Sequence, residues 1–148
     1  MSNVDPLPLA VSREVRDTCL CLHVQRAARA LARRFDEALR PMGLTHGQFS
    51  LLMSLNRPVP ATMAQVAQLL AMDRTTLTAN LKPLERRGLV AIAIDPADRR
   101  SRRMTLTPAG HQALADAVPI WRLTHGAVEA DMAPADPGAL RAGLRAVA

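Results

Sequence analysis

The chain has 148 residues, 49% of them apolar, enough for one domain with a real core and too few for two independent ones. No apolar run approaches the roughly 20 residues that span a bilayer, and Met1 to Val11 lacks the basic start and apolar stretch of a secretory signal. The net charge of +6 rests on arginine, with Lys82 the sole lysine, and arginine's planar fork suits phosphates and guanine edges.

Asp5, Pro6 and Pro8 mark Met1 to Val11 as a short irregular arm. Arg13 to Leu39 reads as one long helix, because Leu20, Val24, Ala27, Leu31, Phe35 and Leu39 recur at three- and four-residue steps. Pro41 and Gly43 stop it. Thr45 with Gln48 is a capping-box start for a second helix, and Thr62 with Gln65 repeats that signal for a short third one. After a tight turn at Ala71-Met72, Asp73 caps a fourth helix whose stripe is Leu77, Leu81 and Leu84 and whose stop is Gly88. Two short capped helices joined this tightly form a helix-turn-helix.

The period then changes. Val90, Ile92 and Ile94 alternate with alanines as in a half-buried strand. Asp95-Pro96-Ala97-Asp98 is a turn, and Arg103 to Leu106 returns, so a basic-tipped hairpin, a wing, follows the helix-turn-helix. Thr107-Pro108 starts a fifth helix that runs to about Met132 through Pro119, where a kink is expected. Asp136-Pro137 caps a last one. The expected fold is mainly α with a small β-wing: a winged helix-turn-helix of about six helices and a two- to three-stranded antiparallel hairpin.

Charge distribution turns this fold into a function. Between Arg74 and Arg103 stand eight basic residues (Arg74, Lys82, Arg86, Arg87, Arg99, Arg100, Arg102, Arg103) against Glu85, Asp95 and Asp98, the footprint of a polyanion binder. Phe35, Phe49 and Trp121 are the only aromatics among Phe, Trp and Tyr, too few for the stacking platforms of single-strand binders, so duplex DNA is the favoured partner. At about 100° per residue, Thr75, Thr78, Ala79, Lys82 and Arg86 face outward on the fourth helix, with Arg74 and Thr76 at its N-terminal edge. Small hydroxyls flanked by cations allow a helix to approach base edges. The competing reading, a plain solvated face, leaves unexplained three threonines that are weaker helix formers than alanine. In the hairpin, Arg99, Arg100, Arg102 and Arg103 can serve a minor groove, with Asp98 near enough to orient the Arg100 guanidinium. An ordinary charged turn is the alternative.

Met72-Asp73-Arg74-Thr75-Thr76-Leu77-Thr78, followed by Leu81-Lys82-Pro83-Leu84-Glu85-Arg86-Arg87-Gly88-Leu89-Val90, resembles the recognition helix of the MarR family of regulators. Asp95 to Ser101 and Leu106-Thr107-Pro108-Ala109-Gly110 are similar to that family's wing and fifth-helix start, and Gly43-Leu44-Thr45 with Gln48-Phe49 to its second helix. The likeness runs from about Val15 to Ala148. It implies one domain over 1–148, with dimerisation helices in 12–44 and 108–148 and a DNA-binding lobe in 45–107. It further implies a homodimer on a pseudo-palindromic operator, usually repressing. Arg74, Thr75, Thr76, Thr78 and Lys82 would serve the major groove, and Asp98 and Arg100 match the family's wing pair, with Arg99 and Arg102 counted beside them as wing residues from their place on the hairpin. Small-molecule sensing is implied too, in a pocket lined by His23, Phe49, Met53 and Trp121.

Cys19 and Cys21 form no disulfide framework, which fits a reducing cytoplasm. As a thiol or metal sensor they face a geometric objection: in an intact helix they point about 200° apart. Cys19 and His23 do share a face, but small packed side chains are the favoured reading. His46, His111 and His125 have no partner at ligand spacing. No cofactor or metal site is expected. The sequence also lacks a phosphate loop, zinc spacing or a Gly-rich nucleophile elbow, which argues against an enzyme. The alternatives that stand beside an effector-released DNA-binding regulator are a thiol- or metal-responsive regulator and an interaction module without DNA affinity.

Overall fold

The computed structural model describes residues 5–148. Its elements are α1 (Leu9–Thr18), α2 (Leu20–Leu39), a 3-10 turn (Arg40–Met42), α3 (His46–Leu55), β1 (Ala61–Thr62), α4 (Met63–Leu69), α5 (Arg74–Arg86), β2 (Val90–Ile94), β3 (Arg102–Leu106), α6 (Pro108–Asp131) and α7 (Pro137–Val147). None of these helices is long and apolar enough to cross a membrane. The chain divides into two compact units, one ending at Arg34 and one running from Phe35 to Ala148.

In the first unit the expected single helix is two. Cys19, with φ −67° and ψ 109°, separates α1 from α2. No glycine or proline causes the break. The Thr18 hydroxyl donates to the Glu14 carbonyl at 2.8 Å, a back-bond that bends helices, and the Cys19 sulfur accepts the Leu22 amide at 3.5 Å in the manner of an N-cap. The irregular arm is also shorter than expected. Its first four residues lie outside the described residues, and α1 begins at Leu9, directly after Pro8. A proline preceding a helix gives up no helical hydrogen bond, so the prolines border α1 instead of preventing it.

The second unit holds the core, built on Leu39, Leu51, Leu52, Leu77, Leu81, Leu84 and Met104, each at most 1% exposed. Both capping boxes form as expected. Gln48 N–H donates to the Thr45 hydroxyl (3.1 Å) while Thr45 N–H donates to Gln48 Oε1 (3.1 Å), and Thr62 and Gln65 do the same. β2 and β3 pair antiparallel from Val90↔Leu106 to Ile94↔Arg102. β3 thus starts one residue before the expected Arg103, and β1 adds a short third strand through Ala61↔Met104 and Thr62↔Arg103.

One joint ties α5, the hairpin and α6 together. Gly88 takes the left-handed conformation (φ 70°) that ends α5. Thr107 N–H donates to the Leu89 carbonyl at 3.1 Å, and the Thr107 hydroxyl donates to the Gly88 carbonyl at 2.5 Å. A Cβ on Gly110 would stand 2.0 Å from the Leu89 oxygen, so only glycine fits there.

Candidate nucleic-acid interface

The turn between α4 and α5 is as tight as the sequence predicts. Ala71 has φ 50°, a left-handed conformation uncommon for a non-glycine residue. It is held by Ala71 N–H to the Gln68 carbonyl (3.2 Å) and Met72 N–H to the Ala67 carbonyl (2.9 Å). Asp73 then caps α5, accepting Thr76 N–H at 2.8 Å and the Thr76 hydroxyl at 2.9 Å. The Thr76 amide, more than its hydroxyl, keeps the Asp73 carboxyl below the usual carboxylate range.

With Leu77, Leu81 and Leu84 buried, the opposite face of α5 is presented outward. Arg74, Thr75, Thr78, Ala79 and Lys82 line one shallow depression on it. All five are exposed. The Thr78 hydroxyl donates to the Arg74 carbonyl at 2.8 Å, which leaves its oxygen able to accept a hydrogen bond. Thr76 differs from its neighbours, because its hydroxyl is committed to the Asp73 cap. Pro83 lies inside α5, which continues as helix to Arg86.

The hairpin arranges its charges differently from the sequence expectation. Asp98 receives the Arg100 backbone N–H on Oδ1 at 3.0 Å, not the guanidinium. The carboxylate therefore shapes the turn, and no described residue holds the Arg100 side chain. Arg102 folds back, its Nη1 donating to the Arg99 carbonyl at 3.2 Å. Asp95, the buried charged residue of the hairpin, pairs with Arg103 Nη2 at 3.0 Å and accepts Ala97 N–H at 2.9 Å. The Ala97 amide first, and Arg103 after it, hold the Asp95 carboxyl low. Arg87 is also spoken for, donating to the Gly43 carbonyl at 2.6 Å. Sequence reasoning counted these arginines alike. The link from Arg87 to Gly43 spans 44 residues and has no local signal, whereas the Asp95–Arg103 pair could have been read from two charges flanking one turn.

A second concavity, about 500 Å³, lies in the same unit. Phe49 and Met53 of α3, Leu69 and Leu70 at the end of α4, and Val118, Trp121 and Arg122 of α6 line it, with Ser50 and Ser54 as polar spots. Phe49 stacks on Trp121 (centroids 6.2 Å apart) and Trp121 on His125 (4.8 Å). The structure thus brings together three of the four residues expected in the pocket, and adds Val118, which its three-residue spacing from Trp121 could have indicated, and Arg122. His23 stands on α2 in the first unit, its Nδ1 2.8 Å from the Cys19 carbonyl. His46 has a partner the sequence did not suggest: its amide and Nδ1 both lie 2.7 Å from Asp36 Oδ1. Among the described residues no three His, Cys, Asp or Glu side chains gather to hold a metal.

A model of the MarR family matches residues 42–101. The transcriptional activatory protein BadR of Rhodopseudomonas palustris is 34% identical over 94 residues, covering 62% of this chain and 54% of BadR. The chain spans about half the length of the curated relatives it matches. Among solved structures, the Mycobacterium tuberculosis transcriptional regulator MosR, in complex with DNA, superposes with a TM-score of 0.80 at 38% identity, covering 88% of this chain and 93% of MosR. BpsR of Bordetella bronchiseptica, whose DNA binding is regulated by 6-hydroxynicotinic acid, gives 0.78 at 27% identity, covering 88% of this chain and 98% of BpsR. Likeness at this identity over almost all of the MosR chain, joined to the matched family model, establishes that the chain belongs to the MarR family.

Proposed function

We propose that the protein is a sequence-selective, double-stranded-DNA-binding transcriptional regulator. It acts as a homodimer and as a repressor released by a small molecule. The observation that carries this reading is the outward face of α5, where Arg74, Thr75, Thr78, Ala79 and Lys82 form one shallow, cation-flanked strip of small side chains. Such a strip lets a helix lie deep in a major groove, with threonines at base edges and the cations at phosphates. The wing then follows the backbone, with Arg100 available for a minor groove.

A dimer is supported by apolar side chains that stay exposed within residues 12–44 and 108–148. Leu20 is 74% exposed, Leu123 79% and Val147 75%. Two copies would set recognition helices in successive major grooves, about 34–36 Å apart.

The effector site in this reading is the cavity walled by Phe49, Met53, Val118 and Trp121. Its apolar walls, stacked rings and one arginine suit a small aromatic acid, and its volume is ordinary for a ligand site. Leu69 and Leu70 place it directly before the turn that leads into α5. A ligand that favours one setting of that turn over another shifts the population away from the DNA-binding form by its difference in affinity for the two.

A mobility-shift titration with the DNA upstream of the coding region, across a salt series, tests this. Selective binding that weakens steeply with salt is expected. Equal or absent binding to all duplexes would favour an interaction module instead.

A further inference from the structure

Trp121 is the chain's one tryptophan, and the cavity it walls does not account for all of its contacts. Its indole stacks on Phe49 of α3 (centroids 6.2 Å, planes 17° apart) and, closer, on His125 (4.8 Å, 20°). His125 is outside the cavity lining. Trp121, His125 and Glu129 follow one another at four-residue steps on α6 and so share one stripe. All three are half-buried, whereas Arg122, Leu123, Gly126 and Ala127 between them are exposed.

The stripe ends on α7. Glu129 Oε1 accepts Arg141 Nη1 at 2.6 Å, and the same oxygen lies 3.8 Å from His125 Nε2. The second distance is too long for a hydrogen bond, so the attraction there is between charges and requires a protonated ring. Arg141 first, and His125 after it, hold the Glu129 carboxyl below its ordinary range, with Asp136 acting in the opposite sense. The carboxylate is therefore charged wherever an imidazole titrates. On the cavity side stands Arg122, and α3 carries only His46, which is bound to Asp36. α7 contributes no buried side chain, and its Arg141 anchors it to α6 through Glu129.

We propose that His125 is a positioning residue of the cavity and that α7 sets it: Arg141 fixes Glu129, Glu129 attracts the His125 imidazolium, and the imidazolium holds the Trp121 indole in the wall. This rests on the reading of the cavity as the effector site. A cation over an indole face is attracted to the ring's π electrons, so protonated His125 grips Trp121 more firmly than the neutral ring does. A held indole keeps the wall preformed, whereas a loose one must be ordered by the ligand at a cost in affinity. The α7 segment, exposed for a second copy in the same reading, is thereby linked to the shape of the effector cavity.

Trp121 can be watched directly, because the chain has no other tryptophan and no tyrosine. Near-UV circular dichroism and acrylamide quenching report how firmly the indole is held, and an imidazolium stacked on an indole quenches its emission. Wild-type emission is expected to fall as pH is lowered through the imidazole range. His125→Gln should lose that fall and His111→Gln should keep it. Arg141 is exposed, so Arg141→Ala should leave the far-UV spectrum unchanged while the near-UV tryptophan band weakens and acrylamide reaches the indole more readily. Arg141→Lys should restore both. A merely structural Arg141 would move the melting temperature and leave the tryptophan signals alone. Arg141→Ala signals that match wild type, or a pH-dependent fall that survives in His125→Gln, would overturn the proposal. No ligand or DNA enters these measurements, so their outcome is separate from the effector reading, which fails if small aromatic acids such as benzoate leave wild-type duplex binding unchanged.

Discussion

The outward face of α5 and the β2–β3 hairpin both carry cations and use them in opposite ways. On α5 the side chains that matter are held from below: leucines are buried, Asp73 caps the first turn, and Arg74 and Lys82 extend from a strip of small residues. In the hairpin, much of the charge holds the hairpin itself. Arg103 is spent on Asp95, Arg102 reaches back to the Arg99 carbonyl, and Asp98 binds backbone, which leaves Arg99 and Arg100 as the arginine side chains of the hairpin that no described residue restrains. A count of positive charges measures attraction to a polyanion but does not separate cations that build a surface from those that meet the partner.

The largest test removes the joint on which both regions depend. Gly110→Ala would drive a methyl into the Leu89 carbonyl, and a stability loss of about 1–3 kcal/mol or more is expected from such overpacking. Chemical denaturation measures it, and an unchanged midpoint would mean the two regions are not locked through this contact. Next, Lys82→Ala and Arg100→Ala should weaken duplex binding by about 1–3 kcal/mol each without shifting the melting temperature. Lys82→Ala should also reduce the salt slope by about one phosphate contact. Arg87→Ala sharpens the contrast from the other side. It frees the Gly43 carbonyl, so about 1 kcal/mol of stability should go while the salt slope stays as it was.

The smallest effect is the pH dependence of the hairpin. Ala97 N–H and Arg103 keep the Asp95 carboxyl below its ordinary range in the folded chain. Its contribution is therefore complete above the ordinary carboxylate pKa and is lost as pH falls through the lowered folded value. Amide exchange of Ala97 and Arg103 should accelerate on that acid side, and Asp95→Asn should remove the acid dependence. A hairpin whose exchange tracks α5 at every pH would show that the two regions do not differ in this way.

Much of this architecture is readable before any coordinates. Helix starts at Thr45, Thr62, Asp73, Thr107 and Asp136 are visible because capping is chemistry between residues three positions apart, and each forms as read. The outward set on α5 follows from the leucine stripe alone. The break at Cys19 was not legible, because a thiol and a threonine back-bond make it in place of the usual glycine or proline. β1 escaped for another reason: two residues become a strand only because β3 lies beside them. Asp98 was assigned to the wrong atom of Arg100, since spacing reports that two groups are near but not which backbone donor competes for the carboxylate.

The most direct test of the central claim is a hydroxyl-radical footprint on the bound upstream duplex, wild type against Arg100→Ala and Lys82→Ala. The account predicts two protected segments centred about 10 base pairs, one helical turn, apart, with flanking minor-groove protection that Arg100→Ala alone erases. A footprint without that spacing, or one that neither substitution alters, would contradict it.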